Sequence, residues 1–189
     1  KPFGVDLTIP SVVPVSATEG ELREEIPATH VEFVRKLKEE WGVPDPKEEV
    51  IDRQLHPDYN QNLFKAQVEK ILEMEVPVFI SGIGNPAWMV PDAHAQGMKV
   101  MALVGNTKQT RRVVEGGVDV VIAQGNESGG HTGRIGGLVL FPAVMEAARE
   151  VNPDIMVASA GGIATGQQIA ACLAMGSVGV WCGTRFIAT

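Results

Sequence analysis

Short runs of apolar residues alternate along the chain with longer segments in which apolar residues recur at helical spacing. The apolar runs predict six strands, at residues 3–7, 76–81, 99–104, 119–123, 155–159 and 178–182. Each run is almost continuously hydrophobic, which is typical of strands covered on both faces. Strands that alternate with helices in this manner predict βα units and a parallel sheet.

The helical segments are marked by their spacing and by their first residues. Residues 61–74 and 28–41 carry apolar positions at helical intervals. Pro86 stands where a first-turn proline belongs, and Thr107 and Thr165 are expected to be N-caps. The segment between the first two strands, residues 10–60, is an insertion. A lid over a binding site and a surface decoration are equally consistent with its polar, proline-rich composition.

Charge and aromatic content argue against nucleic acid as a partner. The formal net charge is -7, and three Trp, one Tyr and six Phe are not accompanied by a basic stripe. The longest apolar runs hold about six residues, whereas a membrane-spanning helix needs about 20. Cys172 and Cys182 have no metal-ligand spacing around them, so we interpret them as reduced core residues of a cytoplasmic protein. No metal site is expected.

Three glycine-rich corners follow strands directly. They are GGHTG after DVVIA, AGGIATG after IMVAS, and GTR after VGVWC. Because the carboxyl ends of parallel strands face one way, we expect the three corners to lie on one rim.

Two of these corners have the composition of a phosphate site. Gly161 and Gly162 precede a helix that is expected to begin at Thr165, and Gly183 and Thr184 follow the last strand. Glycine lets backbone N–H groups approach an anion, and a helix N-terminus adds partial positive charge. The alternative is that these glycines only make tight turns between strand and helix.

The corner after DVVIA contains the best candidate for a catalytic base. His131 is embedded in glycines, and an imidazole with a pKa near 6.5 can accept a proton at neutral pH. The sequence leaves two roles open for Glu127, which either orients the imidazole or caps the loop.

The stretch Gly82-Ile83-Gly84-Asn85-Pro86-Ala87 mimics a dinucleotide fingerprint after a strand. The next strand ends in Val104-Gly105 without the acidic residue that would bind a ribose, so we interpret the match as fortuitous.

Taken together, the motifs resemble those of the nitronate monooxygenase family, formerly called 2-nitropropane dioxygenases. The matching pieces, in the family's order and with similar spacing, are PFGVDL at 2–7, AQGNESGGHTG at 123–133, ASAGGIATG at 158–166 and WCGTRFIAT at 181–189. The resemblance implies an FMN enzyme on a TIM (β/α)8 barrel that oxidises nitronates with O2 to carbonyl compounds and nitrite. It makes His131 the base that removes the α-proton of a nitroalkane or positions a nitronate.

The resemblance also implies a set of cofactor contacts. The residues expected at the FMN are Asp6, Gln124, Ser128, Gly129, Gly130, Gly161, Gly162, Trp181, Cys182, Gly183 and Thr184. Asp6 departs from the family pattern, which usually has Asn there. An amide can donate a hydrogen bond to the flavin, whereas an ionised carboxylate cannot.

The chain is short for a complete barrel. Eight βα units usually take about 250 residues, and the six predicted strands correspond to the third through the eighth. We therefore expect residues 1–189 to form a single FMN-binding barrel domain that lacks two N-terminal units and the final helix.

Two alternatives remain open at this point. A flavin-dependent enoyl-acyl carrier protein reductase, or another NADH-dependent flavin oxidoreductase, has a nearly identical ESGGH corner on the same barrel. A barrel that binds flavin or phosphate without turnover is the alternative from another class. The partners expected for an enzyme are a small-molecule substrate and O2, and a homo-oligomer is possible.

Overall fold

The computed structural model describes residues 3–10, 26–45 and 61–189. The chain divides into two compact units, one made of residues 1–11 with 67–189 and the other of residues 12–66. The smaller unit contains helix α1 (Ala28–Trp41), as predicted, and this helix ends at Gly42 with φ +62°. Most of the predicted insertion at 10–60 lies outside the described residues, so the lid remains a prediction.

Six parallel strands of the larger unit form one sheet, and they are hydrogen-bonded in the order of the chain. The strands are β1 (Gly4–Thr8), β2 (Val78–Ile83), β3 (Lys99–Val104), β4 (Val120–Gln124), β5 (Met156–Ala160) and β6 (Gly179–Trp181). The sheet curls into a half-barrel that matches part of a TIM barrel. The predicted fold class is confirmed, and β3 has the predicted bounds, while the other strands begin one or two residues later than predicted.

Helices connect the strands, as the alternating pattern predicts. They are α2 (Gln61–Glu73), α3 (Val90–Ala95), α4 (Thr107–Glu115), α5 (Gly137–Val151), α6 (Gly166–Ala174) and α7 (Thr184–Ile187), with a 3₁₀ turn at Pro86–Trp88 before α3. Pro86 occupies the first position of that turn, as predicted. Among the described residues, no helix has both the length and the hydrophobicity that crossing a bilayer requires.

The two predicted N-caps have different outcomes. Thr165 caps α6, where its hydroxyl accepts from the Gln168 backbone N–H and the Gln168 side-chain oxygen accepts from the Thr165 backbone N–H. The prediction for Thr107 is wrong, because the N-cap of α4 is Asn106. Asn106 has extended backbone angles, and its side-chain oxygen accepts from the Gln109 N–H at 2.9 Å. Asn is preferred over Thr at the N-cap, so Asn106 takes that position and α4 begins at Thr107.

The two faces of the sheet are buried to different degrees. On the outer face, which the helices cover, Phe79, Val100 and Val121 are completely buried. On the inner face, Ile80, Ile122, Ala158 and Ala160 form a small buried cluster, and Met101, Leu103 and Trp181 pack on it while staying only partly buried. The expectation of full cover therefore holds for the outer face and is wrong for the inner face within the described part of the chain.

An ionic cluster joins α3, β3 and β4 at the amino ends of the strands. The carboxylate of Asp119, just before β4, accepts from Lys99 Nζ at 2.7 Å, the Val100 N–H at 2.8 Å and His94 Nε2 at 2.9 Å. Partial burial favours the neutral acid, but the three hydrogen bonds outweigh it and lower the pKa of Asp119. His94 therefore has a structural position far along the strands from the glycine-rich corners.

Both cysteines are free thiols. Cys172 is buried in α6, whereas Cys182 lies just after β6 and not inside it as predicted, because β6 ends at Trp181.

Candidate functional site

The three glycine-rich corners meet at the carboxyl ends of β4, β5 and β6. A Cβ atom added to Gly161 would lie 2.9 Å from the carbonyl oxygen of Gly125. One added to Gly162 would lie 3.0 Å from Cβ of Glu127, and one added to Gly129 would lie 3.0 Å from Oγ1 of Thr184. A side chain at any of these three positions would crowd its neighbour, and at Gly161 that neighbour is the backbone of Gly125.

Two of the glycines are also required by their backbone conformation. Gly161 has φ +107° and Gly162 has φ +64°, a region that L side chains rarely adopt. The corner after β5 therefore turns sharply before α6, whose N-terminus begins four residues later and carries partial positive charge.

Gln124 fixes the start of the loop at residues 125–136, which we call the histidine loop. Gln124 ends β4 in register with Ala160, on the inner face of the sheet. Its Nε2 donates to Ser128 Oγ at 2.8 Å and to the carbonyl oxygen of His131 at 3.3 Å. The side chain of Gln124 therefore holds the backbone that carries His131.

Glu127 caps a helix, which settles the choice that the sequence leaves open. Its two carboxylate oxygens accept from the N–H of Gly137, the first residue of α5, at 2.9 and 3.0 Å. A carboxylate is stabilised at a helix N-terminus. Glu127 thus ties the histidine loop to α5 and does not orient the imidazole.

The far side of the histidine loop rests on the end of β3. A Cβ added to Gly133 would lie 3.1 Å from the carbonyl oxygen of Gly105, which follows β3 directly. Within the loop, the Asn126 N–H donates to the carbonyl oxygen of Ile135 at 3.0 Å. The histidine loop is thus closed on itself and supported at both ends.

A cavity of about 640 Å³ opens beside this loop, at the carboxyl ends of β2, β3 and β4. His131 lines it, and Gln124 lies at its wall. Four lining residues that sequence reasoning missed are Asn106, Gln109, Arg112 and Arg134. In the sequence, only their positions pointed to the site: Asn106 closely follows a predicted strand, and Arg134 stands three residues after His131.

Asp6 lies on β1 beside the cavity wall. A Cβ added to Gly82, which lines the cavity, would lie 2.8 Å from Oδ1 of Asp6. Burial raises the pKa of Asp6, and a hydrogen bond from the Gly82 backbone only partly opposes this shift. Burial therefore makes ionisation of this carboxyl group less favourable than in water, and its protonated form, unlike the carboxylate, can donate a hydrogen bond.

The remaining sequence-predicted residues lie around the same corners. Trp181 ends β6 and packs on the inner-face cluster, and Cys182 and Gly183 follow it. Gly130, with φ +81°, precedes His131.

The stretch at 82–87 is not a dinucleotide fingerprint. Gly82 lies inside β2, which continues to Ile83, and the chain then enters a 3₁₀ turn rather than a long helix. Gly84 has φ +104° and lies against the carbonyl of Ile9. A glycine is therefore required at position 84, because the chain after β1 approaches this backbone closely.

Comparison with known proteins identifies the family. The whole chain, residues 1–189, matches the model of the family described as Nitronate monooxygenase. The Mycobacterium tuberculosis protein named "Putative monooxygenase Rv1533" is 37% identical over 100% of this chain and 51% of its own length.

Two solved structures are similar in fold and sequence. Nitroalkane oxidase from Streptomyces ansochromogenes superposes with a TM-score of 0.69 at 27% identity, over 100% of this chain and 51% of that one. FabK from Thermotoga maritima superposes with a TM-score of 0.61 at 38% identity, over 66% of this chain and 39% of that one. The chain spans about half the length of the relatives that it matches from end to end. The chain belongs to the nitronate monooxygenase family.

Proposed function

We propose that this chain is the flavin-binding and proton-abstracting part of an FMN-dependent nitronate monooxygenase. The reaction is oxidation of alkyl nitronates, or of nitroalkanes after loss of the α-proton, with O2 to carbonyl compounds and nitrite. The observation that carries the proposal is the meeting of the three glycine-rich corners beside a cavity that His131 lines. The family match over residues 1–189 supports the same assignment.

The corners after β5 and β6 fit the phosphate of FMN. Gly161, Gly162 and Gly183 have no side chains to keep an anion from the backbone, and the N-terminus of α6 is adjacent. Thr184 adds a hydroxyl group that lies close to Gly129. Bound FMN supplies the redox chemistry, which no side chain of the site can supply.

The flavin ring would be held by residues of β1, of the end of β4 with the histidine loop, and of the end of β6. The residues that would hold it are Asp6, Gln124, Ser128, Gly129 and Gly130, with Trp181 and Cys182 at the end of β6. A protonated Asp6 could donate a hydrogen bond as the family's usual amide does, and burial shifts the pKa of Asp6 upward, which is the direction that favours this form.

His131 would move the proton. One ring nitrogen of the neutral imidazole accepts the α-proton of a nitroalkane, and the cavity gives the substrate access to that nitrogen. Gln124 and Glu127 hold the loop at both sides of His131, so the ring is presented from a supported backbone. A preformed nitronate has already lost this proton and needs no base.

The test uses the full-length, FMN-loaded enzyme and its His131→Asn variant with two substrates. We expect the variant to lose turnover of neutral nitroalkane by at least about a hundredfold, the usual contribution of a general base, and to retain most turnover of the preformed nitronate. His94→Asn is the matched control, because His94 pairs with Asp119 away from the cavity. Parental nitroalkane turnover in the His131 variant would exclude His131 as the base.

Enoyl-acyl carrier protein reduction is the second candidate, because the ESGGH corner at 127–131 also resembles that family. The two activities are separated by the absorption spectrum of the full-length enzyme under anaerobic conditions. A flavin spectrum that changes on addition of an alkyl nitronate supports the monooxygenase. A spectrum that ignores the nitronate and bleaches with a reduced nicotinamide nucleotide supports the reductase, and a protein without flavin supports the binding barrel.

We also propose that the enzyme works in the cytoplasm, since its two cysteines are free and a reducing compartment keeps them so. The proposed partners are the small-molecule substrate and O2. Size-exclusion chromatography of the full-length protein would test whether it forms a homo-oligomer.

A further inference from the structure

The cavity beside the histidine loop is positively charged, although the chain as a whole carries a formal charge of -7. Arg112 and Arg134 both line it, and none of the described residues that line it is acidic. The carboxyl group of Asp6, whose pKa is raised by burial, lies beside Gly82 of the cavity wall. The local charge is therefore suited to an anion in a protein that otherwise repels anions. We call this space the arginine cavity.

The two arginines reach the arginine cavity from different elements. Arg112 lies in the last turn of α4, and Arg134 lies in the histidine loop. The preceding residue on the same helix, Arg111, turns away and pairs with Glu150 of α5 at 2.6 Å. Two guanidinium groups from different elements can each make paired hydrogen bonds to phosphate oxygens, a geometry that arginine favours over lysine.

Amide groups complete the lining. The side-chain oxygen of Asn106 accepts from the Gln109 N–H, and the side-chain oxygen of Gln109 accepts from the Gly105 N–H at 2.9 Å. Their NH₂ groups are left as donors, and donors suit an anionic ligand.

The volume leaves room for more than the alkyl nitronate of the proposed reaction. Cavities of about 300–1,000 Å³ hold ligands of drug or cofactor size. At about 640 Å³, the arginine cavity is much larger than a short alkyl nitronate. Because Gln124, which is proposed to hold the flavin ring, lines the same cavity, the ring would take part of this space and the substrate the rest.

We propose that the arginine cavity binds a phosphate group carried by the substrate or co-substrate, remote from the reacting carbon and separate from the phosphate of FMN. This inference rests on the proposed function, which places the FMN phosphate at the corners after β5 and β6. It assigns to Arg112 and Arg134 the recognition of an organic phosphate or diphosphate.

The test measures binding of inorganic pyrophosphate to the full-length, FMN-loaded enzyme by titration calorimetry. We expect one site per chain, and Arg112→Gln and Arg134→Gln each to weaken binding at least about tenfold by removing a bidentate partner. Arg134→Lys keeps the charge without the fork, so its affinity should lie between those of the parent and Arg134→Gln. Arg111→Gln is the matched control, because it removes the same charge from the adjacent position of the same helix.

Each outcome decides for or against the phosphate site. Failure of pyrophosphate to bind, or equal weakening by Arg111→Gln, would overturn it. If Arg112→Gln or Arg134→Gln lowers the FMN content, the cavity belongs to the cofactor phosphate and the proposal is also wrong. Both arginines are exposed, so we expect these variants to keep the fold, and circular dichroism checks this. An enzyme that binds pyrophosphate at this site but ignores nitronates would refute the proposed function alone.

Discussion

The contact between Gly161 and Gly125 is the tightest link between two of the three corners, and replacing Gly161 with Ala tests it directly. Gly161 has φ +107°, and a strained backbone of this kind costs an L residue about 1–3 kcal/mol. The new methyl group would also lie 2.9 Å from the Gly125 carbonyl oxygen, and overpacking of a backbone contact costs about another 1–3 kcal/mol. We therefore expect Gly161→Ala to lower the free energy of unfolding by about 2–6 kcal/mol.

Two control substitutions separate these contributions. Gly130 has φ +81° but nothing within 4 Å of an added Cβ, so Gly130→Ala should show only the backbone cost of about 1–3 kcal/mol. Gly166 is the first residue of α6 and has open space and no positive φ. Gly166→Ala should be neutral or stabilise by up to about 1 kcal/mol, because Ala is the better helix former.

The assay is equilibrium unfolding in urea of the full-length protein and the three variants, with FMN removed so that ligand binding does not add to stability. Equal losses for Gly161→Ala and Gly130→Ala would show that Gly161 does not touch Gly125, and the meeting of the two corners would have to be abandoned. A loss below about 1 kcal/mol for Gly161→Ala would contradict the left-handed conformation as well.

Three further predictions concern ionised groups. Asp119→Asn should lower the free energy of unfolding by about 1–3 kcal/mol at pH 7 because the charged hydrogen bonds to groups such as Lys99 are weakened. Since the folded pKa of Asp119 is lowered, the difference should shrink as the pH falls below 3.8 in urea titrations, and a constant difference would be contrary evidence. The pKa of Asp6 is raised in the folded protein, so the parent protein loses stability as the pH rises above 3.8 and this carboxyl group ionises. Asp6→Asn cannot ionise, so its stability relative to the parent should increase between acid and neutral pH. A stability difference that does not change with pH would contradict the burial of this carboxyl group. Glu127→Ala removes the cap at Gly137 and should cost about 0.5–2 kcal/mol in thermal or urea unfolding, whereas unchanged stability would dismiss the cap.

The sequence predicted which segments form the six strands, but it did not always predict where each strand begins and ends. The run that begins at Val76 predicts a strand from there, yet β2 begins at Val78. Pro77 lies between them and has no N–H for the ladder, although its carbonyl accepts from Lys99. β2 also continues through Gly82 to Ile83, because β1 has an irregularity at Leu7 and Thr8 that lets Thr8 pair with Ile83. Pairing partners of this kind are not visible in one strand's own sequence.

The candidate site was likewise predictable only in part. The meeting of the glycine-rich corners followed from strand direction alone, since all the strands are parallel. The position of Arg112 at the cavity could not be predicted, because nothing in the sequence distinguishes Arg112 from its neighbour Arg111. One helical step of about 100° turns the first toward Glu150 and the second toward the cavity. Such a choice depends on how α4 is rotated against the sheet, which is a tertiary property.

The histidine loop carries both the proposed base and one of the two arginines of the proposed phosphate site. His131 and Arg134 are three residues apart, and both line the same cavity. The loop between them is held by Gln124 on one side and by the contact of Gly133 with Gly105 on the other. Because the proposed base and the proposed phosphate-binding Arg134 share this support, we expect a change that shifts the loop to alter proton abstraction and phosphate binding together. We expect a change at Arg112, which lies outside the loop, to alter phosphate binding alone.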